Sequence, residues 1–383
     1  MEIGNLKAIV IGAGWAGEGH TRALQHCGVE VVAICARKEK VVQEVAARLD
    51  VPQASTNWRR TLDKVKPDIV SLATPATLRT EVVEEATRMG CHLLCDKPLA
   101  TTAEEARRIY DLVAQAEVKH AYASTQQYDP SVAWVRELLA AENVGQLRAI
   151  DVIICVPAPP QLKPWSWMDS LALGGGGLNN ALPHFLGILE RMTNSKLVAV
   201  AGEAHIGRRQ APFVPDIHDF REMMGKTVTP EEAAQFQWRN CDADVAFSAL
   251  LQFEYATSKE QGILPVLIHA DGLMSSPPPI NGWYFYGDEG MLVGENIFSI
   301  TVTRQAGSER EILPTPQRLM DEVPQLGDNV LNKWAALAED FVADVVGEAH
   351  NPYPTFREGL RYQYAIDAIR EGKGWYQIPE PGK

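Results

Sequence analysis

Two stretches of the chain carry side chains able to move a proton. Lys97 stands directly before Pro98, at the end of the apolar run His92–Cys95. Asn180 and His184 stand four residues apart, behind the four consecutive glycines Gly174 to Gly177. A lysine at the carboxyl end of a buried strand, followed by a turn-fixing proline, points into a crevice, and partial desolvation there lowers its pKa toward the range useful for proton transfer. Elsewhere a lysine beside proline is a surface charge. Asn180 and His184 share a face if their segment is helical, with Pro183 tolerated in a first turn. Outside such a context they read as an N-cap and a satisfied core histidine.

A third stretch, Ile9 to Gly17, supplies a place for a second reactant. Gly12, Gly14 and Gly17 follow a β-branched run with the spacing of a dinucleotide loop. Gly12 allows the tight turn, Gly14 lets backbone approach a pyrophosphate, and Gly17 lets the following helix pack on the strand. The amides and positive dipole end at Trp15 and Ala16 would hold phosphates. The second strand then ends Ala36-Arg37-Lys38, with no acid until Glu39. An NAD site usually has an Asp or Glu there, whereas Arg37 and Lys38 pair with a 2′-phosphate, so NADP is favoured over NAD. The competing reading is that both are solvated charges at a helix start. Nicotinamide-side contacts fall on the loop Ala73-Thr74-Pro75 and on Asp96 and Lys97.

The elements that position these residues are readable from periodicity. Ala8–Ile11, Val29–Cys35, Ile69–Leu72, His92–Cys95 and His120–Ala123 read as buried parallel strands. Thr21–His26, Lys38–Leu49, Leu78–Met89 and Ala103–Gln115 read as helices, the last capped by Thr101 or Thr102. Alternation of this kind predicts an α/β Rossmann domain, a doubly wound parallel sheet, over residues 1–128. An α+β domain over 129–383 opens at Tyr128-Asp129-Pro130 with a helix Ser131–Ala140 and a strand Leu147–Val156. An irregular segment with Pro157, Pro159, Pro160 and Pro164 leads to Trp165 and Trp167, candidates for stacking on a sugar face or for core packing. Residues 204–244, with His205, His218 and Pro230-Glu231-Glu232, read as a surface insertion. Strands Val245–Tyr255, Val266–His269, Trp283–Tyr286 and Met291–Val293 follow, with Gly287–Gly290 a hairpin turn. Helices Lys333–Val346 and Gly359–Arg370 close the chain.

Bulk properties limit the partners. The 383 residues carry a formal charge of −13 and 46% hydrophobic content, which suits two globular domains and no nucleic-acid or anionic-membrane surface. No apolar run approaches the roughly 20 residues of a membrane span, and Met1 leads into a strand without a signal-peptide pattern, so a cytoplasmic protein is expected. Six scattered cysteines suit reduced core thiols. Cys91 and Cys95 lie in one strand-like run with no second ligand pair, so no metal site is expected.

Taken in order, these residues resemble the Gfo/Idh/MocA oxidoreductase family, named for glucose–fructose oxidoreductase, inositol dehydrogenase and a rhizopine-catabolism protein. The markers are the Gly12–Gly17 loop, Ala73-Thr74-Pro75, Lys97-Pro98, Tyr128-Asp129-Pro130, the glycine run ending in His184, and Gly359-Leu360-Arg361 with Ala365–Ile369. The resemblance implies a second domain built on a large open, mostly antiparallel sheet that often forms the interface of a homo-oligomer, here a dimer or tetramer. It implies hydride transfer between a nicotinamide cofactor and a sugar, polyol or related carbonyl compound. Lys97 matches the family's active-site lysine and His184 the histidine acting with it. The departures are Asn180 where many members have aspartate, Asp96 for glutamate, Arg79 for a frequent histidine and Gln127 for a frequent arginine. Asn180 would then orient a hydroxyl rather than exchange a proton. Gln127 joins Asn180, Trp165 and Trp167 as substrate-side candidates. The alternatives are a redox-assisted glycosidase with catalytic cofactor and a non-catalytic NADP-binding sensor.

Overall fold

The structure, a computed structural model, describes residues 3–157, 162–215, 217, 220–256, 261–274, 280–295, 299–304 and 309–382. Pro159, Pro160 and His218 lie outside the described residues.

Six short apolar runs make a parallel sheet: β1 (Lys7–Ile11), β2 (Glu30–Cys35), β3 (Gln53–Ser55), β4 (Ile69–Leu72), β5 (His92–Cys95) and β6 (His120–Tyr122). Their order is β3-β2-β1-β4-β5-β6, so the direction of winding reverses between β1 and β4 and opens a crevice at their carboxyl ends. Alternate side chains serve two cores: Ala8 and Val10 face one side of the sheet, Ile9 and Ile11 the other. The sequence reading assigns nothing to 53–65, where the structure has β3 and the helix Trp58–Val65. A three-residue edge strand with no fully buried residue leaves no apolar signature.

The second sheet uses β7 (Leu147–Pro157), β8 (Ser195–His205), β11 (Ala246–Ala256), β12 (Gln261–Met274), β13 (Gly282–Gly287), β14 (Met291–Glu295), β15 (Ser299–Thr303), β16 (Glu311–Leu313) and β17 (Tyr376–Gln377), while β9 (Gln210–Pro212) and β10 (Trp238–Asn240) pair separately. Its order is β16-β15-β14-β13-β7-β12-β11-β8-β17, antiparallel throughout except between β12 and β7. The period of two is clear on β11, where Phe247, Leu251 and Phe253 are buried and Leu250 and Glu254 exposed. Helices Pro130–Ala140, Gly177–Thr193 and Phe356–Glu371 lie on the inner side. The Gly287–Gly290 turn closes the expected hairpin between β13 and β14, Gly287 N donating to Gly290 O at 2.8 Å.

Two later segments pack back onto the first domain. The helix Asn329–Val346 packs on the helix Trp15–His26, where Trp334 meets Trp15 at 5.0 Å between centroids and covers Gly19. A Cβ at Gly19 would lie 2.1 Å from that indole. The stretch 204–244 is tied down rather than free on the surface. Arg208 makes a charge-assisted bond to the buried carboxylate of Asp169 at 2.7 Å, and Arg221 reaches Glu18 on the helix after the glycine loop at 2.8 Å. All six cysteines are free thiols, five of them buried, and burial pushes Cys35 and Cys91 up to about 11. No described helix is long and apolar enough to cross a membrane.

Candidate active site

The crevice is framed by glycines of different kinds. Gly12 has φ of +121°, and a Cβ there would lie 2.4 Å from Ala73 O. A Cβ at Gly17 would lie 1.9 Å from Gly12 O. Both are therefore required by protein packing. A Cβ at Gly14 would meet nothing within 4 Å. Gly14 is also the N-cap of the helix Trp15–His26 and, as a glycine, brings no capping side chain of its own. A helix start of this kind beside open space fits a dinucleotide phosphate. Trp15 turns its ring to Trp334, so its backbone and that of Ala16 are what this helix start offers. Arg37 and Lys38 are exposed where β2 ends. Across the crevice, Ala73 N bonds Ile11 O at 2.8 Å, Pro75 is exposed, and the buried Thr74 Oγ1 has no partner among the described residues.

Lys97 enters from the turn after β5, its peptide to Pro98 being cis. Its Nζ donates to Asn180 Oδ1 at 3.1 Å and to Asn180 O at 3.3 Å. The helix Gly177–Thr193 carries Asn180 and, one turn on, His184, so the sequence-predicted trio is brought together. Pro183 is its seventh residue, beyond the expected first turn, and Asn180 is not its N-cap. Gly176 holds that place, and Asp244 receives Leu178 N on its carboxylate at 2.7 Å and Gly177 N on its carbonyl at 2.7 Å. The glycine run serves close approach of protein rather than of a ligand. Added Cβ atoms would lie 2.5 Å from Trp167 O at Gly175, 2.7 Å from Asp244 Oδ1 at Gly176 and 3.1 Å from Ala76 Cβ at Gly174.

Burial weakens both bases. Burial lowers the Lys97 amine, Arg79 lowers it further, and Asp96 opposes both. His184 is held well below the usual histidine range by burial and by the cations Lys97 and Lys333, and its Nδ1 is buried without a partner. Asn180 is committed on both sides: Oδ1 accepts from Lys97, and Nδ2 donates to Gly176 O at 2.7 Å. One donor and one acceptor position remain beyond these bonds, so the amide that holds Lys97 keeps the means to orient a hydroxyl.

The remaining candidates are dispersed. Trp165 packs into the β9–β10 pair: its Nε1 donates to Asn240 O at 3.0 Å, its ring meets Phe213, and the Arg239 guanidinium lies 4.9 Å from its centroid. Protein thus occupies its edge and one face, the core-packing side of the two readings given for this residue. Trp167 opens a short 3₁₀ turn and is half-buried. Gln127 donates to Ser124 O at 2.9 Å and rests against Gly187 of the site helix. No local pattern marked Asp244 or Lys333, whose fully buried amine lies 2.6 Å from Gln126 Oε1 and 3.4 Å from Asp129 Oδ2. Lys333 is more than 200 positions from both partners, beyond the reach of any local pattern.

Residues 6–124 match the family described as oxidoreductase family, NAD-binding Rossmann fold, and residues 132–293 match the GFO/IDH/MocA C-terminal domain. The chain belongs to the Gfo/Idh/MocA oxidoreductases. An uncharacterized oxidoreductase of Synechocystis sp. is 26% identical over 98% of this chain and 97% of its own. Levoglucosan dehydrogenase of Pseudarthrobacter phenanthrenivorans is 27% identical over 48% of this chain and 50% of its own. A solved levoglucosan dehydrogenase, in complex with NADH and L-sorbose, superposes with a TM-score of 0.77 at 20% identity over 98% of this chain and 99% of its own, a likeness of fold. This family member is thus an oxidoreductase with an NAD-binding Rossmann domain and a mixed, mostly antiparallel second sheet.

Proposed function

We propose that the protein is a dehydrogenase or reductase of sugars, polyols or related carbonyl compounds, with NADP preferred to NAD. The observation that carries the reading is Lys97 Nζ held 3.1 Å from Asn180 Oδ1, with His184 one turn away, where the strands end and the glycine loop begins. A bound nicotinamide supplies the hydride acceptor. The chain's own residues supply the rest. Lys97, kept from its ordinary basicity by burial, takes the proton of a substrate hydroxyl, while neutral His184 hydrogen-bonds the same oxygen and fixes its orientation. His184 is the weaker base of the two because burial and the Lys333 cation act on it, with Lys97 adding to them whenever its amine is protonated. The sugar class follows the similarity to levoglucosan dehydrogenase. Arg37 and Lys38, in place of an acid after β2, support NADP. Exposed Leu250 and Ile263 on the outer face of the second sheet support a homo-oligomer, dimer or tetramer.

The test is purified protein with NADP or NAD and a panel of sugars, polyols and glycosides, following absorbance of the reduced cofactor. Lys97→Ala is expected to lose about 10²–10⁴-fold in turnover, and Arg37→Asp to shift preference toward NAD. Full activity in Lys97→Ala would remove the lysine from the chemistry. Glycoside cleavage without net reduction would replace the dehydrogenase reading with a redox-assisted glycosidase.

A further inference from the structure

Arg79 opens the helix Arg79–Arg88, where a cation faces the positive end of the helix dipole. It is nevertheless 2% exposed. Neither fact helps the helix, so the reason for an arginine lies in what it touches. Its Nη1 donates to Asp96 O at 2.5 Å, and its Nη2 donates to Thr74 O at 2.9 Å and to Lys97 O at 3.5 Å. Those carbonyls belong to the two loops, after β4 and after β5, that flank the crevice. Among the described residues no carboxylate pairs with the guanidinium, and its Nε has no partner. A guanidinium keeps its proton under all ordinary conditions. The site therefore contains a fixed positive charge held by three backbone oxygens, with the Cys95 thiol beside it.

We propose that Arg79 is the positioning residue for Lys97: its buried fork clamps the Asp96–Pro98 turn to the Ala73–Pro75 loop and sets a permanent positive charge next to the lysine. The inference rests on the reading of Lys97 as the proton acceptor. Two consequences follow. The planar fork fixes where the lysine leaves the backbone, while Asn180 fixes where its amine ends. The charge repels a proton from that amine, in keeping with the lowering described for Lys97. The other charged or titratable groups around the turn are few. Asp96 lies on the turn itself and opposes Arg79, and His184 on Gly177–Thr193 faces the amine. Lys333 on Asn329–Val346 acts on His184. Behind the turn, His20 on Trp15–His26, Cys95 on β5 and Tyr122 on β6 all feel Arg79, and burial holds all three neutral.

The two contributions separate in variants. Arg79→Met removes fork and charge together. Its kcat is expected to fall about 100-fold, as misplacement of a reacting group by about 1 Å does. The acid limb of its kcat/KM profile is expected to move up by about one pH unit, because the protonated amine is no longer repelled. Arg79→Lys keeps the charge and loses the fork, so kcat falls while the limb stays in place. Cofactor affinity, read by quenching of tryptophan fluorescence with NADPH, shows which variants are folded, and Arg79→Lys carries the test if Arg79→Met does not fold. Kinetics of Arg79→Met within twofold of the parent, or a limb that moves equally in both variants, would overturn the proposal. Lys97→Met separates this from the reading beneath it. A limb that survives in Lys97→Met overturns both, whereas a limb lost in Lys97→Met but unmoved in Arg79→Met overturns the clamp alone.

Discussion

Asn180 changes what Lys97 can be. A neutral amide accepts from the lysine at 3.1 Å without adding a negative charge, so burial and Arg79 act on the amine with only Asp96 against them. Asn180→Asp would place a carboxylate at that distance and favour the protonated amine. The base form then exists only at higher pH. The acid limb of kcat/KM is expected to rise by about one to two pH units, with the rate above it largely kept, as a pH–rate profile would read. An unmoved limb would mean that some other group titrates. Lys97 and His184 were legible in the sequence because a lysine–proline step after an apolar run, and a histidine after a glycine run, are local signals. That Asn180 holds the lysine was not legible, since the bond joins residues 83 positions apart.

At the scale of the element, the glycine loop divides into parts that share a pattern but not a role. Gly17→Ala would drive a methyl to 1.9 Å from Gly12 O, which backbone cannot yield without moving the strand-to-helix turn. A loss of several kcal/mol is expected from the overpacking and strain, roughly 2–4, measured as a lower urea midpoint without cofactor. Gly14→Ala meets no protein atom. It is expected to leave that midpoint within about 0.5–1 kcal/mol of the parent, the range of a glycine-to-alanine change, and to weaken NADPH binding at least tenfold in a fluorescence titration. Equal effects of the two substitutions on stability would refute the division. The spacing shows that three glycines occur, but not which of them faces protein. The second glycine run illustrates the same limit, for Gly174 to Gly176 make room for Ala76, Trp167 and Asp244. Sheet strands with a strict period of two, such as β11, were legible. β3 and β8 were not: one is a polar edge strand, and the other starts just after the helix Gly177–Thr193 with only Asn194, at φ of +48°, between them.

Across the whole molecule, the chain's last third closes on its first. The helix Asn329–Val346 supplies Trp334 over Gly19 and Lys333 beside Asp129, so the first sheet's core is completed by residues more than 300 positions on. Leu99, Tyr122 and Leu360 share one buried cluster with Phe253 and Val266 of the second sheet, so unfolding of the two sheets is expected to be one event, with tryptophan fluorescence and far-UV circular dichroism losing signal at the same urea concentration. Lys333→Met leaves Asp129, 4% exposed, without its cation. That is expected to cost about 3–5 kcal/mol, moving both transitions down together. Two separated transitions in the parent protein would contradict this coupling.

The sequence by itself determined the parallel sheet and its crevice, the dinucleotide loop and the family, and it singled out Lys97 and His184 as candidates. These depend on local periodicity and on spacings within one turn or one strand, which a linear pattern records. Only the tertiary structure decided what surrounds them: the Arg79 clamp on two loops, the commitment of both ends of the Asn180 amide, the packing of Trp165 into the β9–β10 pair, and the return of Lys333 beneath His184. Each of these depends on burial and on distances between residues far apart in the chain. Burial turns an ordinary lysine and an ordinary arginine into a depressed amine and a fixed charge, and it exists only once the two sheets and the closing helices have packed.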